Sequence, residues 1–358
     1  MFPTHPEALN EAWLTTALHE SGLLTRGRVL AAQLEMLRGA KGVMGLIARL
    51  SLDYDRAEQT APHTLIAKFS ASDLAIRSLG NALGLYKREV HFYRELAERV
   101  AVQTPRCYFA AIDPVSGESL LLLEDLAPAR NGDRIAGCEP HEATLVIDAL
   151  ATMHADWWMR PALADLDWLR PFDTAPLQDA YQRAWGPFTA KLGDSLSPNL
   201  RSIGERFRAS LTEVFAAYWA EPWTLIHNDL QLDNLFFGRN ESHPSLCIID
   251  WQSVLRGRGM LEVAGFLGGN LSIENRRAHE MALLNTYHTT LVTRGIRGYS
   301  FEQCYNDNRI SMFDGFSRMV IALASNLHEA QERAHREVLW PRYSTAIVDL
   351  RAGEMLPR

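Results

Sequence analysis

The residues able to do chemistry sit in one short stretch. Leu225–Gly238 reads LIHNDLQLDNLFFG, and Cys247–Gln252 reads CIIDWQ. The polar residues embedded in these apolar runs are His227, Asp229, Asn234 and Asp250. Asn234 follows Asp229 by five residues, and Asp250 follows Asn234 by sixteen. Leu235–Gly238 and Leu246–Ile249 read as two short strands joined by a turn over Arg239–Pro244. Paired in that way, they would bring the Asn234 amide and the Asp250 carboxylate to one spot. Hard oxygen ligands that leave room for water and phosphate suit Mg2+. Asp229, in the loop before the first strand, can orient an incoming hydroxyl and accept its proton. Taken singly, these residues have plainer readings: HxD pairs are common, and a buried aspartate is often a helix cap. Their setting between apolar strands, followed by IIDWQ, favours chemistry.

That chemistry is phosphoryl transfer, where position and charge neutralisation do most of the work. The protein-kinase pattern HRDxxxxN followed by DFG carries the same three roles at the same local spacing. Here Asn228 replaces the arginine and Asp250-Trp251-Gln252 replaces DFG.

Elements on both sides must position these groups. Arg28–Arg38, Val43–Tyr54 and His63–Ser70 read as strands. Gly84–Val100 reads as a helix, with Val90, Tyr93, Leu96 and Ala97 at helical spacing and charges on the other face. Arg106–Asp113 and Ser119–Leu126 are two further strands around a DPVSG turn. From about Pro140 the chain reads as mostly helix, interrupted by three short strands near Thr224–Asp250. The expected fold class is therefore α+β. The natural hinge is the strand end Glu124–Asp125–Leu126, giving a first domain over 1–126 and a second over 127–358.

The 358 residues, 47% hydrophobic and with net charge −7, suit two domains with real cores and offer no overall basic balance for nucleic acid. The four cysteines are far apart, with neither metal-site nor disulfide spacing, and suit a reducing compartment. The first residues lack the features of a signal peptide, and apolar runs fall far short of the ~20 residues needed to cross a bilayer. A cytoplasmic protein without nucleic-acid or membrane partners is expected; oligomeric state is not written in the sequence.

The chain resembles the aminoglycoside phosphotransferase and choline kinase superfamily, and within it the ecdysteroid-kinase-like (CHK kinase-like) branch and its bacterial relatives. HNDLQLDN (His227–Asn234), IIDWQ (Ile248–Gln252), LLLLEDLAP (Leu120–Pro128), MHADWW (Met153–Trp158), KREVHFYREL (Lys87–Leu96) and RGRGMLEVAGFL (Arg256–Leu267) carry the likeness, in order, over about Val29 to Leu327. It implies a bilobal protein-kinase-like fold: a small N-lobe with a five-stranded antiparallel sheet and one helix, then a larger helical C-lobe. It also implies ATP and Mg2+ as cofactors and a small hydroxylated substrate. By the same likeness Asp229 is the catalytic aspartate, Asn234 and Asp250 are metal ligands, and Lys68 contacts the α/β-phosphates. Glu89, in an E-x-x-x-Y pattern with Tyr93, would hold Lys68, although a solvated helix acid is the plainer reading. A lysine inside the apolar strand LIAKFS is costly unless paired or at an edge. Backbone groups of Glu124 and Leu126 would read the nucleotide base.

Departures from the pattern matter. Gly39-Ala40-Lys41-Gly42-Val43-Met44-Gly45 is not GxGxxG and has no hydroxyl residue. Gly42 and its neighbours would let backbone approach phosphate, or simply turn a hairpin. Glu262 stands where an aspartate is usual, and a longer acid can still hold the catalytic loop. Nine tryptophans could line an apolar substrate pocket or simply fill the helical core. His154 reads as a helix-face or core histidine. Asp156–Asp194 holds six aspartates against four basic residues, too thin an acid field for a polycationic antibiotic. Amine-bearing alcohols, sterol- or macrolide-like alcohols and hydroxyacyl thioesters stay open as acceptors. A nucleotide-binding pseudokinase is the alternative from another class.

Overall fold

The computed structural model describes residues 2–37, 44–56, 58–171, 173–238 and 246–357. Gly42 and the Arg239–Pro244 turn lie outside the described residues. The chain divides into two compact units, 1–130 with 238–253, and 131–237 with 254–358.

The first unit carries helix α1 (Glu11–Glu20), then strands β1 (Val29–Met36), β2 (Gly45–Tyr54) and β3 (Thr64–Ser70). Helices α2 (Leu74–Ala82) and α3 (Leu85–Glu95) follow, then β4 (Cys107–Ile112) and β5 (Ser119–Glu124). The five strands form one antiparallel sheet in the order β1-β2-β3-β5-β4. Alternating side chains of β2 and β3, among them Leu50, Leu52, Leu65, Ala67 and Phe69, share a core with Leu14 and Leu18 of α1 and Leu120 and Leu122 of β5. Gly45 opens β2 opposite Ser70, and a Cβ there would lie 2.4 Å from the Phe69 carbonyl oxygen. Close strand approach thus demands this glycine.

Two helices stand where the periodicity shows one. Asp73 caps α2, its carboxylate accepting from the amides of Ala75 and Ile76. On α3 the charges do not all face outward: Arg88 and Glu89 are buried with Val90, Phe92 and Tyr93.

The second unit is mostly helical: α4 (Pro140–Trp157), α5 (Pro161–Ala164), α6 (Ala175–Leu192), α7 (Pro198–Ala209), α8 (Leu211–Trp219), α9 (Gly259–Asn270), α10 (Ile273–Thr293), α11 (Phe301–Ala324), α12 (Glu329–Ala334) and α13 (Trp340–Asp349). The helical stretch Pro198–Trp219 is broken at Ser210 into α7 and α8. A further short strand, absent from the sequence reading, runs over Leu255–Gly257 and pairs antiparallel with Thr224–Ile226. Every residue of α9 except Gly265 is buried, so this helix forms the spine of the unit.

Candidate active site

In the first unit, Lys68 stands mid-strand on β3, and its charge is paired. Its Nζ donates to Glu89 Oε1 at 2.7 Å and to Asp250 Oδ1 at 2.5 Å. Burial pulls the ammonium pKa down, but the two carboxylates more than offset this and raise it overall. Burial raises the Glu89 pKa against the opposing pull of Lys68. A buried pair of this kind is strongly destabilised when one partner is removed, by about 3–5 kcal/mol.

Asp250 takes its place through its neighbours. Its φ of 65° is left-handed, a conformation tolerated best by glycine, asparagine and aspartate. The next residue, Trp251, is fully buried and stacks on Phe92 of α3, ring centroids 4.0 Å apart and 8° from parallel. The Trp251 indole N–H donates to the Ile248 carbonyl at 3.0 Å, closing the turn around Asp250. Gln252 Nε2 donates to Asp250 Oδ2 at 3.3 Å. One helix thus supplies both the glutamate for Lys68 and the ring that seats the aspartate.

At the end of β5, the Glu124 carboxylate accepts from the Arg106 amide at 3.2 Å, and Leu126 is buried. Asp125 between them binds Arg49 Nε of β2 at 2.8 Å. Burial alone would raise the Asp125 pKa; the Arg49 bond reverses this and lowers it.

In the second unit, the loop after Thr224–Ile226 is clamped by a buried glutamate. Glu262 Oε2 accepts from the amides of His227 at 2.8 Å and Asn228 at 3.1 Å. Its Oε1 meets His154 Nε2 of α4 at 2.5 Å, and His154 Nδ1 meets the Tyr287 hydroxyl of α10 at 2.8 Å. The longer acid therefore does hold the loop. His154 is the middle of a buried polar chain rather than a bystander in the core. Asn228 sits in the left-handed region at φ 64°, which turns the chain between His227 and Asp229. The Asp229 amide donates to His227 Nδ1 at 3.3 Å, which requires the imidazole proton on Nε2.

Farther along, the Leu232 amide donates to Asn270 Oδ1 at 2.8 Å, so α9 holds the loop at both its ends. Asn234 is buried, and its Nδ2 donates to the Asp229 carbonyl at 2.9 Å. With the nitrogen so engaged, the amide oxygen is the atom left for a cation. An amide oxygen is a hard donor of the kind that suits Mg2+.

The structure thus brings Lys68, Glu89 and Asp250 together, and separately Asp229 and Asn234. The sequence reading did not single out Tyr287, Asn270 or the Phe92–Trp251 stack. Phe92 lies three residues after Glu89, close to the same helix face, and that spacing was the available signal.

The phosphotransferase enzyme family (APH) matches residues 59–298, and the chain belongs to that family. A candidate aminoglycoside phosphotransferase from Ralstonia eutropha shares the fold with a TM-score of 0.58 at 15% identity, covering 96% of this chain and 98% of its own. Choline kinase from Cryptosporidium parvum gives 0.56 at 12%, over 91% and 92%. Spectinomycin phosphotransferase, solved with ADP and spectinomycin, gives 0.55 at 10%, over 96% and 99%. An uncharacterised kinase-like protein of Caenorhabditis elegans is 38% identical over 69 residues, a match spanning 19% of this chain and 18% of that one. The fold is the kinase-like α+β fold of these phosphotransferases. The finer ecdysteroid-kinase-like placement is not reached by these matches. Among the described residues, no helix is long and apolar enough to cross a membrane.

Proposed function

We propose that this protein is an ATP-dependent small-molecule O-kinase of the ecdysteroid-kinase-like branch, acting in the cytoplasm. The observation that carries the reading is the Lys68 ammonium gripped by Glu89 and Asp250, a costly buried cluster that suits triphosphate binding. Lys68 contacts the α/β-phosphates, with Glu89 fixing its direction. Glu124 and Leu126 offer backbone groups to the base, and Gly42 lies in the loop assigned to the phosphates. Asp250 and the Asn234 amide oxygen hold Mg2+, which supplies charge neutralisation on the phosphate oxygens when bound. Asp229 orients the acceptor hydroxyl. The hydroxyl oxygen forms the new bond to the γ-phosphorus, the bond from that phosphorus to the bridging oxygen breaks, and ADP leaves with its electrons. The hydroxyl proton passes to the Asp229 carboxylate.

ADP formation across hydroxylated compounds tests the reading. Asp229→Ala should abolish turnover while sparing nucleotide binding by calorimetry, and Asp250→Ala should weaken binding of MgATP itself. Retention of near wild-type rate by Asp229→Ala would refute the assignment. Mg-dependent nucleotide binding without turnover on any acceptor would favour the pseudokinase reading.

A further inference from the structure

We propose that Arg49 is a positioning residue for the nucleotide: through Asp125 it sets the Leu126 backbone that meets the base, so that strand β2 governs affinity for the base half of the ligand. The inference rests on the kinase reading for the role of the Leu126 amide.

The geometry starts in the sheet. Directly opposite residues of antiparallel strands share a face, as do residues two apart on one strand. Arg49 stands opposite Ile66 of β3, and Ile47 opposite Lys68. Arg49, Ile66 and Lys68 therefore lie on one face, the one turned away from the core that holds Leu50, Leu65, Ala67 and Phe69. Ile66 in turn stands opposite Leu123 of β5, two residues before Asp125. On this face Arg49 reaches past β3 to the strand end. Its Nε donates to Asp125 Oδ2 at 2.8 Å, and its Nη2 lies 3.5 Å from Oδ1. Its Nη1 lies 3.6 Å from the Glu35 carboxylate of β1. One guanidinium thus joins the β1 edge to the end of β5.

Asp125 passes this constraint to the backbone. Its side chain is 5% exposed, against 33% for Arg49, so the carboxylate depends on its cation. Its Oδ1 also accepts from the Ala127 amide at 3.1 Å, and the Leu126 carbonyl accepts from the Ala129 amide at 2.9 Å. Leu126 is held from both sides by these bonds. Among the described residues its own N–H has no protein acceptor, although Leu126 is 4% exposed. A backbone N–H so placed calls for a partner, and a base edge supplies one. Removing the guanidinium leaves Asp125 buried without its cation. The carboxylate then turns toward water and releases the Ala127 amide that fixed the turn.

The test separates base from phosphates. Calorimetry measures adenosine, guanosine, MgATP and magnesium tripolyphosphate, the last carrying phosphates without a base. The proteins are wild type, Arg49→Gln, Arg49→Lys, Asp125→Asn and the Arg49→Gln/Asp125→Asn double variant. Arg28→Gln, which breaks an exposed pair with Asp55 in the same unit, is the control and should bind as wild type. Arg49→Gln should weaken MgATP and the preferred nucleoside roughly 10-fold and leave tripolyphosphate unchanged, with KM for ATP raised and kcat within about twofold. Arg49→Lys should recover part, because it keeps the charge and loses the fork. Asp125→Asn should match Arg49→Gln, and the double variant should add nothing to either. Hydrogen exchange at the Ala127 amide should quicken in both single variants. If wild type binds ATP but turns over no acceptor, the base-specific loss still upholds the assignment of Arg49, and only the catalytic reading fails. Equal weakening of ATP and tripolyphosphate would mean general loosening of the unit and would overturn the proposal. So would nucleoside affinity indifferent to Arg49, or additive losses in the double variant. Wild type that binds no base-bearing probe overturns this inference and the nucleotide reading together.

Discussion

Glu262 is the residue whose replacement should reveal most. Its carboxylate receives two backbone N–H groups and one histidine nitrogen, all in a buried setting. Glu262→Ala leaves three polar groups without their partner. At about 1–3 kcal/mol for each buried group so orphaned, and with some relaxation, the loss should be about 3–6 kcal/mol. That is a large part of the roughly 5–15 kcal/mol that holds a domain folded. Glu262→Gln is milder, since its amide oxygen can still accept from the loop while a tautomer change at His154 receives the new N–H. A loss of about 1–2 kcal/mol follows. Glu262→Asp keeps the charge but lacks the reach to touch both His154 and the loop. Urea unfolding followed by tryptophan fluorescence gives the stability differences. Turnover should fall further than stability implies, because a displacement of about 1 Å at a reacting group costs on the order of 100-fold in rate. A urea midpoint for Glu262→Ala equal to wild type, with rate intact, would refute the clamp.

Phe92→Ala should cost about 3–5 kcal/mol by unstacking Trp251, and should weaken nucleotide binding through Asp250, while Phe92→Leu should do less of both; equal nucleotide affinity in all three proteins would break the link between ring and aspartate. Gly315→Ala forces a Cβ to within 2.0 Å of the Tyr343 ring and should cost about 1–3 kcal/mol; an unchanged melting temperature would contradict that close approach. Glu58 takes the amides of Arg26, Thr25 and Gly27 and the Thr25 hydroxyl, which hold its pKa at about 2, below the ordinary 4.5. The folded-state value is the lower one, so its stabilisation is complete above about 4.5 and fades as pH falls toward 2. The stability gap between wild type and Glu58→Gln should close over that window, and a gap independent of pH would count against it. Burial pushes the thiols of Cys138 and Cys304 up to about 12, so a thiol reagent at pH 8 should label them slowly in the native state and fully in urea; fast native labelling would contradict their burial.

The β-sheet and most of the helices were legible because alternation and helical periodicity are local. Asp229, Asn234 and Asp250 were legible as polar residues set in apolar runs with meaningful spacing. Glu89 was harder, since its helix carries several acids and only packing shows which one turns inward. The chain from Glu262 through His154 to Tyr287 joins residues more than a hundred positions apart, and no periodicity marks such a meeting.

The chain visits its first unit twice, and this has a consequence for biosynthesis. Residues 1–130 make the sheet, but Ile248 and Trp251, which bond to Gln103 and cover Phe92, are translated roughly 120 residues later. At about 5–20 residues per second, the unit waits some 6–25 seconds on the ribosome before it can close. A fragment cut at residue 130 would present the bare Phe92 ring to solvent, so any exchange of this unit between related kinases must carry the later segment with it.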